Sequence, residues 1–104
     1  FLIFKNERQE VFLKKRPNKG IWGGLWSFEE CEDSNEAISR EILQHNNKAK
    51  IVRSLTKFKH PFTHFTLRIN PILIDSPGAS VNYYATGSLT LGTPAPVKKI
   101  LQEL

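Results

Sequence analysis

Short apolar runs separated by polar turns divide the chain into predicted strands. Phe1–Lys5 and Val11–Arg16 are rich in β-forming residues and flank a polar segment, so they predict a hairpin. Ile51–Lys59 and Phe65–Asn70 predict two further strands, and the second alternates apolar and polar residues, which places Phe65 on an apolar face. Further strand-like runs are Ile72–Ile74 and Val81–Thr86.

Helical spacing of apolar residues occurs twice. The first helix is predicted to start at Asp33 or Ser34, with Glu36 completing a capping box after Asp33, and to end near residues 45–47. The second is predicted to be capped by Thr93, with Pro94 at its first position. The apolar positions are Ala37, Ile38, Ile42 and Leu43 in the first helix, and Val97, Ile100, Leu101 and Leu104 in the second.

This order of elements predicts an α+β fold, with a mixed or antiparallel β-sheet packed with two α-helices. A chain of 104 residues is long enough for one domain with its own core, so residues 1–104 are interpreted as a single domain. Because the chain starts at Phe1 without a methionine, we interpret it as a piece of a longer protein that starts inside a strand.

Charge and cysteine content narrow the function classes. The net charge of +5 agrees with a nucleic-acid partner without requiring one. The single cysteine, Cys31, excludes an internal disulfide framework and any multi-cysteine zinc or iron–sulfur site, and it favours a reducing, intracellular compartment. No apolar run is long enough to span a bilayer, so no membrane partner is predicted, and no signal peptide is evident.

The segment Lys57–Phe65 predicts two strands joined by a tight turn, because Pro61 interrupts the strand pattern. The turn would present Phe62, Thr63 and His64 at its tip. An aromatic ring, a hydroxyl that donates and accepts, and an imidazole near lysines are suited to probing a nucleic-acid base. The alternative is that the phenylalanines of this segment pack in the core while its histidines are solvated.

A glycine-rich segment and several basic residues are further candidates for contacts with phosphate groups. Gly20–Phe28 contains three glycines and two tryptophans, but no Lys-Ser/Thr pair follows, so we expect a bend anchored by aromatic rings and not a phosphate loop. The basic groups are candidates for contacts with a DNA backbone, and for the cluster Lys14–Arg16 the alternative is a solubilising strand end. The candidates are Lys14, Lys15, Arg16, Lys57, Lys59, His60 and Arg68.

A glycine-rich entry followed by a helix with an Arg-Glu pair resembles the plan of Nudix hydrolases. Gly24 and Glu30 match the start of that family's motif, but the Arg-Glu pair occurs late, as Arg40 and Glu41. The two adjacent glutamates expected next are replaced by Gln44 and His45, or by Ile42 and Leu43 when the motif is aligned without the shift. Because Mg²⁺ requires carboxylate oxygens, we expect a Nudix-like fold without the hydrolase activity.

No other catalytic or metal-binding set is evident from the sequence. Cys31 has no neighbouring motif that would lower the pKa of its thiol. His60 and His64 lie on either side of a proline and lack the cysteine or acidic partners of a zinc site. The sequence therefore predicts neither a catalytic residue nor a metal ion for this chain.

Three segments in order resemble the C-terminal domain of MutY-type adenine-DNA glycosylases: Arg16–Phe28, Phe58–Phe65 and Leu91–Val97. The resemblance implies base-excision repair, in which that family removes adenine mispaired with 8-oxoguanine. It implies a Nudix-like domain that recognises the oxidised guanine without catalysing a reaction. The expected partners are double-stranded DNA containing the mispair and the protein's own N-terminal catalytic domain, which would hold an iron–sulfur cluster. The expected location is intracellular, at the nucleoid if bacterial.

The lesion-reading Phe-Ser-His loop of that family falls on Phe62, Thr63 and His64, with threonine in place of serine. Oxidation turns N7 of guanine from an acceptor into a donor, so a reader of the oxidised base needs an acceptor, which the Thr63 hydroxyl provides. Two alternatives are a working hydrolase of oxidised nucleoside triphosphates and a domain that docks a repair partner through its tryptophan-rich segment.

Overall fold

The computed structural model describes residues 1–78 and 80–104, and within them it contains short strands and two α-helices. The strands are β1 (Leu2–Lys5), β2 (Glu10–Phe12), β3 (Lys14–Lys15), β4 (Trp26–Ser27), β5 (Lys50–Ser54), β6 (Phe58–Pro61), β7 (Thr66–Ile69), β8 (Ile72–Asp75) and β9 (Tyr83–Ala85). The helices are α1 (Asn35–His45) and α2 (Ala95–Glu103), and a 3-10 turn covers Thr86–Ser88. This confirms the predicted α+β class.

The main sheet has the strand order β5-β8-β1-β2-β9 within the described residues. Strands β1 and β8 run parallel, whereas the β1–β2, β2–β9 and β5–β8 pairs are antiparallel. A parallel pair requires a crossover connection. Here the chain between β1 and β8 supplies that crossover, and it also includes α1 and the separate β6–β7 hairpin. The predicted mixed sheet and the predicted hairpin of β1 and β2 are confirmed.

The two helices cover opposite faces of the sheet. In β1, Leu2 and Phe4 belong to a buried cluster with Ile38 and Ile42 of α1. Ile3, between them, belongs to a second buried cluster that includes Val97 and Ile100 of α2. Because successive side chains of a strand point to opposite faces, this arrangement explains why β1 is continuously apolar.

Helix α1 starts where the sequence predicted. Of the two candidate caps, Ser34 is the one that acts: its Oγ accepts a hydrogen bond from the backbone N–H of Ala37 at 3.2 Å. The helix ends at His45, as predicted. Leu43 was expected on the buried face, but it is 66% exposed, because the sheet is contacted by the neighbouring Ile42 and not by the flank of the helix.

Helix α2 corrects the predicted cap at its start. Pro94 occupies the N-cap position, no side chain caps the helix, and Thr93 therefore lies one residue too early for its predicted role. Pro96 fits in the first turn because the N–H groups there have no partner within the helix. Val97 and Ile100 are buried as predicted, while Leu101 and Leu104 are half-buried at the edge of the core.

The predicted strand Ile51–Lys59 is in fact two strands. The chain leaves the main sheet after Ser54, buries Leu55, and enters a different sheet at Phe58. The backbone N–H of Leu55 donates to the carbonyl of Pro71, so this linking residue is held beside the start of β8.

The last predicted strand is also shorter than expected, since β9 contains only Tyr83–Ala85 and Val81 is 90% exposed. In the part of the chain that the structure describes, neither helix combines the length and apolar character needed to cross a membrane.

His45 occupies an aromatic site at the end of α1. Its ring stacks on Phe4 with centroids 3.7 Å apart, and its Nε2 lies 2.7 Å from the hydroxyl of Tyr83. The Tyr83 hydroxyl also lies 2.9 Å from the Oγ of Ser76, so His45, Tyr83 and Ser76 form a chain of hydrogen-bonding groups. Burial lowers the pKa of His45 below its usual value of 6.5.

We predict that His45 makes the folded state less stable in mild acid. The unfolded chain takes up a proton on this residue near pH 6.5, whereas the folded chain resists it, so the free energy of unfolding falls as pH drops below 6.5. Urea unfolding at pH 7.5 and 5.5 measures this. His45→Gln should reduce the difference between the two pH values, and Gln44→Ala, at the neighbouring exposed position of α1, should leave it unchanged. An undiminished pH dependence in His45→Gln would contradict the assignment.

Candidate nucleic-acid interface

Strands β6 and β7 form an antiparallel hairpin that is separate from the main sheet. The tight turn predicted around Pro61 is present, and it is closed by a hydrogen bond from the N–H of Phe62 to the carbonyl of Phe65 at 2.7 Å. Pro61 is the last residue of β6, where an absent N–H is tolerated. The paired residues are Phe58 with Ile69, Lys59 with Arg68, His60 with Leu67, and Pro61 with Thr66.

The tip of the hairpin exposes most of the predicted site. Thr63 and His64 are both exposed, and Phe62 is half-buried. Phe65 was expected on the apolar face of its strand, but it is 48% exposed, because this end of the strand extends beyond both core clusters. The tip therefore exposes the hydroxyl of Thr63, the imidazole of His64 and the ring of Phe65 to solvent.

Strand alternation gives the hairpin two chemically different faces. On the inner face, Phe58 packs against the core and Ile69 is only 4% exposed. On the outer face, Lys59 lies directly opposite Arg68, and both side chains are exposed. Like charges directly opposite each other destabilise a strand pair. This pair of cations therefore does not stabilise the hairpin, and its charge is suited to an anionic partner.

Four aromatic rings form what we call the aromatic cluster: Trp22, His60, Phe62 and Phe65. Trp22 lies 5.9 Å from His60 and 5.6 Å from Phe62, measured between ring centroids. Phe62 in turn lies 5.0 Å from His60 and stacks on Phe65 at 4.6 Å with an interplanar angle of 21°. The alternative of buried phenylalanines and solvated histidines does not describe this arrangement, since His60 is half-buried and Phe65 is exposed.

Trp22 is a site neighbour that the sequence reasoning did not assign to the hairpin. It has a φ of +54°, in the left-handed region, within a loop where Gly24 also has a positive φ of +75°. A Cβ on Gly23 would lie 2.8 Å from the carbonyl oxygen of Asn18, so only glycine fits there. The loop thus turns tightly and places the indole against the inner face of the hairpin. A tryptophan between glycines was the available sequence signal.

His60, one of the seven predicted basic residues, belongs to the aromatic cluster, and the other six fall into two groups. Lys14 pairs with Glu29 at 2.9 Å, and Arg16 pairs with Glu30 beside residues 20–24, which we call the glycine loop. Arg16 also donates through Nε to the carbonyl of Ile21 at 3.2 Å and lies over the Trp22 ring. The second group is exposed and forms no ion pair among the described residues. It consists of Lys15, Lys57, Lys59 and Arg68.

The residues at the Nudix metal positions do not fit Mg²⁺. His45 is packed among aromatic rings, Gln44 is an exposed amide, and the carboxylate of Glu30 is paired with Arg16. Among residues 1–78 and 80–104, no three His, Cys, Asp or Glu side chains converge to hold an ion. Burial raises the pKa of the Cys31 thiol, which favours its less reactive protonated form.

Comparison with known proteins agrees with the fold. The chain belongs to the NUDIX family, whose NUDIX domain matches residues 1–103. A solved Nudix hydrolase from M. smegmatis, RenU, superposes with a TM-score of 0.64 over 98% of this chain and 78% of that chain. Its 12% sequence identity makes this a likeness of fold alone.

Curated relatives give a closer family. Adenine DNA glycosylase from Buchnera aphidicola subsp. Baizongia pistaciae (strain Bp) is 34% identical over 112 residues, which cover all of this chain and 31% of the relative. The same enzyme from Buchnera aphidicola subsp. Acyrthosiphon pisum (strain APS) is 34% identical over 113 residues, covering 98% of this chain and 31% of the relative. The chain thus spans about a third of the curated relatives it matches, and the resemblance to adenine DNA glycosylases is confirmed.

We predict that Gly23→Ala destabilises the glycine loop. Its Cβ would meet the backbone of Asn18, which cannot move as a flexible side chain would, so we expect a loss of roughly 1–3 kcal/mol and a melting temperature several degrees lower. Thermal unfolding followed by circular dichroism measures this. Gly87→Ala is the control, because an added Cβ there has no heavy atom within 4 Å. Equal melting temperatures for the two variants would contradict the close approach.

Proposed function

We propose that this domain recognises 8-oxoguanine mispaired with adenine on behalf of an adenine-DNA glycosylase, and that it catalyses no reaction itself. The observation that carries the proposal is the exposed hairpin tip, which presents the hydroxyl of Thr63 beside an exposed aromatic ring and exposed cations. The adenine DNA glycosylase relatives support DNA as the partner. The rest of such an enzyme, an N-terminal catalytic domain with its iron–sulfur cluster, would excise the adenine inside the cell.

The chemistry of the lesion explains why a hydroxyl serves as the reader. Normal guanine presents acceptors at N7 and O6, and arginine or lysine reads them by donating. In 8-oxoguanine N7 carries a hydrogen, so the reader must accept there. The Oγ of Thr63 accepts a hydrogen bond and donates one as well, and the half-buried ring of Phe62 beside it contributes a flat apolar surface.

The remaining tip and hairpin residues have supporting roles in this proposal. His64, exposed next to Thr63, orients the tip or contacts a phosphate. The exposed cations Lys57, Lys59 and Arg68 neutralise the DNA backbone near the hairpin. Arg16 acts indirectly, because its contacts with Glu30, Ile21 and the Trp22 ring stabilise the region around Trp22, and Lys14 is engaged by Glu29.

We predict that Thr63→Val removes most of the preference for oxidised guanine. The variant keeps the shape of the side chain but loses the acceptor, so we expect the ratio of affinities for the two duplexes to fall by the equivalent of about 1–3 kcal/mol. Titration of the chain with duplexes that differ only in guanine or 8-oxoguanine measures the ratio. Thr63→Ser keeps the hydroxyl and should preserve the preference. An unchanged ratio in Thr63→Val would show that another residue discriminates.

We predict that Lys59→Gln and Arg68→Gln each reduce the salt dependence of DNA binding. Each phosphate contact that is lost should lower the slope of log affinity against log salt by about 0.9. Lys48→Gln is the control. Lys48 is also exposed, but it lies just after the C-terminal end of α1. The hairpin side of the domain contacts the chain before the other end of this helix, where Asn70 donates to Asp33. Melting temperatures should stay the same or rise, since each variant removes a like-charge pair. A slope equal to the control would contradict the backbone role.

The second candidate function is hydrolysis of oxidised nucleoside triphosphates, which the NUDIX family membership favours. Release of pyrophosphate from such nucleotides in the presence of Mg²⁺, at a rate reduced by Glu41→Gln, would support it over the non-catalytic proposal. The docking alternative is less favoured, because Trp22 is engaged by the hairpin and Trp26 packs edge-on against Tyr84.

A further inference from the structure

Phe65 differs from the other members of the aromatic cluster in how much of its ring is open. We infer that Phe65 is the ring that stacks on a nucleobase, with Phe62 and Trp22 supporting it from behind, an assignment that rests on the proposed function. The motif resemblance places lesion reading on Phe62, Thr63 and His64 and leaves Phe65 without a role. The inference therefore adds a base-contacting residue to the tip.

Phe62 has three aromatic neighbours and is half-buried. The Phe65 ring stacks on it at 4.6 Å and 21°, while Trp22 lies at 5.6 Å and His60 at 5.0 Å. A base that stacked on Phe62 would have to displace at least one of these rings. Phe62 is thus placed to support the ring of Phe65 and not to stack on a base itself.

Phe65 has the opposite surroundings. Among the described residues its aromatic contact is with Phe62, and 48% of its surface stays exposed. Exposure rises along one face of this strand, from Ile69 at 4% through the half-buried Leu67 to Phe65 at the tip. The side chain thus lies where the strand extends past the core, with one ring face stacked on Phe62 and about half of its surface exposed.

The exposed ring is unusual for this chain. The large hydrophobic residues that stay exposed in the described part of the chain are Leu43, Ile51, Val52, Phe65 and Val81, of which Phe65 is the aromatic one. Aromatic rings bind nucleobases by stacking, without needing a particular hydrogen-bond pattern. A base on the open face of Phe65 would continue the parallel stack of Phe62 and Phe65.

Stacking by Phe65 complements the polar contact proposed for Thr63. Both residues belong to the same four-residue turn, whose ends are joined by the 2.7 Å hydrogen bond between Phe62 and Phe65. One residue would hold the face of a base while the other probes an edge. The exposed cations of the outer face, Lys59 and Arg68, lie on the strands leading to this turn, where they would contact the flanking phosphates.

The test compares Phe65→Leu, Phe65→Tyr and Phe62→Leu by fluorescence anisotropy with 8-oxoguanine and guanine duplexes, and by thermal unfolding. Phe65→Leu should weaken binding to the 8-oxoguanine duplex roughly fivefold to a hundredfold with an unchanged melting temperature, since its side chain is exposed. Phe65→Tyr keeps the ring and should restore binding. Phe62→Leu should lower the melting temperature as well. Leu43→Ala, at a similarly exposed position on α1, is the control and should bind normally.

The outcomes separate this inference from the proposed function. If Phe65→Leu binds as tightly as the unaltered chain while Phe62→Leu does not, Phe62 makes the base contact and the inference is wrong. If Phe65→Leu weakens both duplexes equally and Thr63→Val leaves their ratio unchanged, stacking stands and lesion recognition fails. If Phe65→Tyr binds as poorly as Phe65→Leu, the ring itself is not what the base contacts. Absence of binding to either duplex at low salt would overturn both.

Discussion

The packing of Trp22 against the inner face of the β6–β7 hairpin is the contact on which the candidate site depends. A two-stranded hairpin is marginally stable on its own, and this one is not paired with the main sheet. At its base Phe58 joins the core, and near its tip His60 and Phe62 rest on Trp22. The indole therefore supports the end of the hairpin that lies farthest from the core.

The backbone of the glycine loop places the indole of Trp22 against the hairpin. Trp22 adopts a left-handed backbone conformation, which costs free energy for a residue with a side chain, and its neighbours compensate. Gly23 passes close to the backbone of Asn18, and Arg16 links the loop carbonyl of Ile21 to the carboxylate of Glu30. The same carboxylate that could have served a metal ion in a hydrolase is thus committed to a structural ion pair.

Two regions of the NUDIX domain differ in chemical character in this chain. The end of α1 carries His45, which packs among aromatic rings and bonds Tyr83, so this end of the helix contributes to the core and not to a metal site. The polar chemistry that faces solvent lies instead on the hairpin, with a cationic outer face and an exposed tip. The separation follows from strand alternation, which sends neighbouring residues to opposite sides.

Local patterns in the sequence by themselves determined the helices, the mixed-sheet class, the Ser34 cap as one of two candidates, and the turn at Pro61. These features depend on short-range spacing and on the geometry of a few residues. Tertiary structure alone decided that the run from Ile51 to Lys59 splits between two sheets and that Phe65 faces solvent. It also brought Trp22 beneath a hairpin some forty residues later. Side-chain burial and strand pairing depend on which elements, distant in sequence, pack together. The alternation of apolar and polar residues within one strand does not show where the core ends.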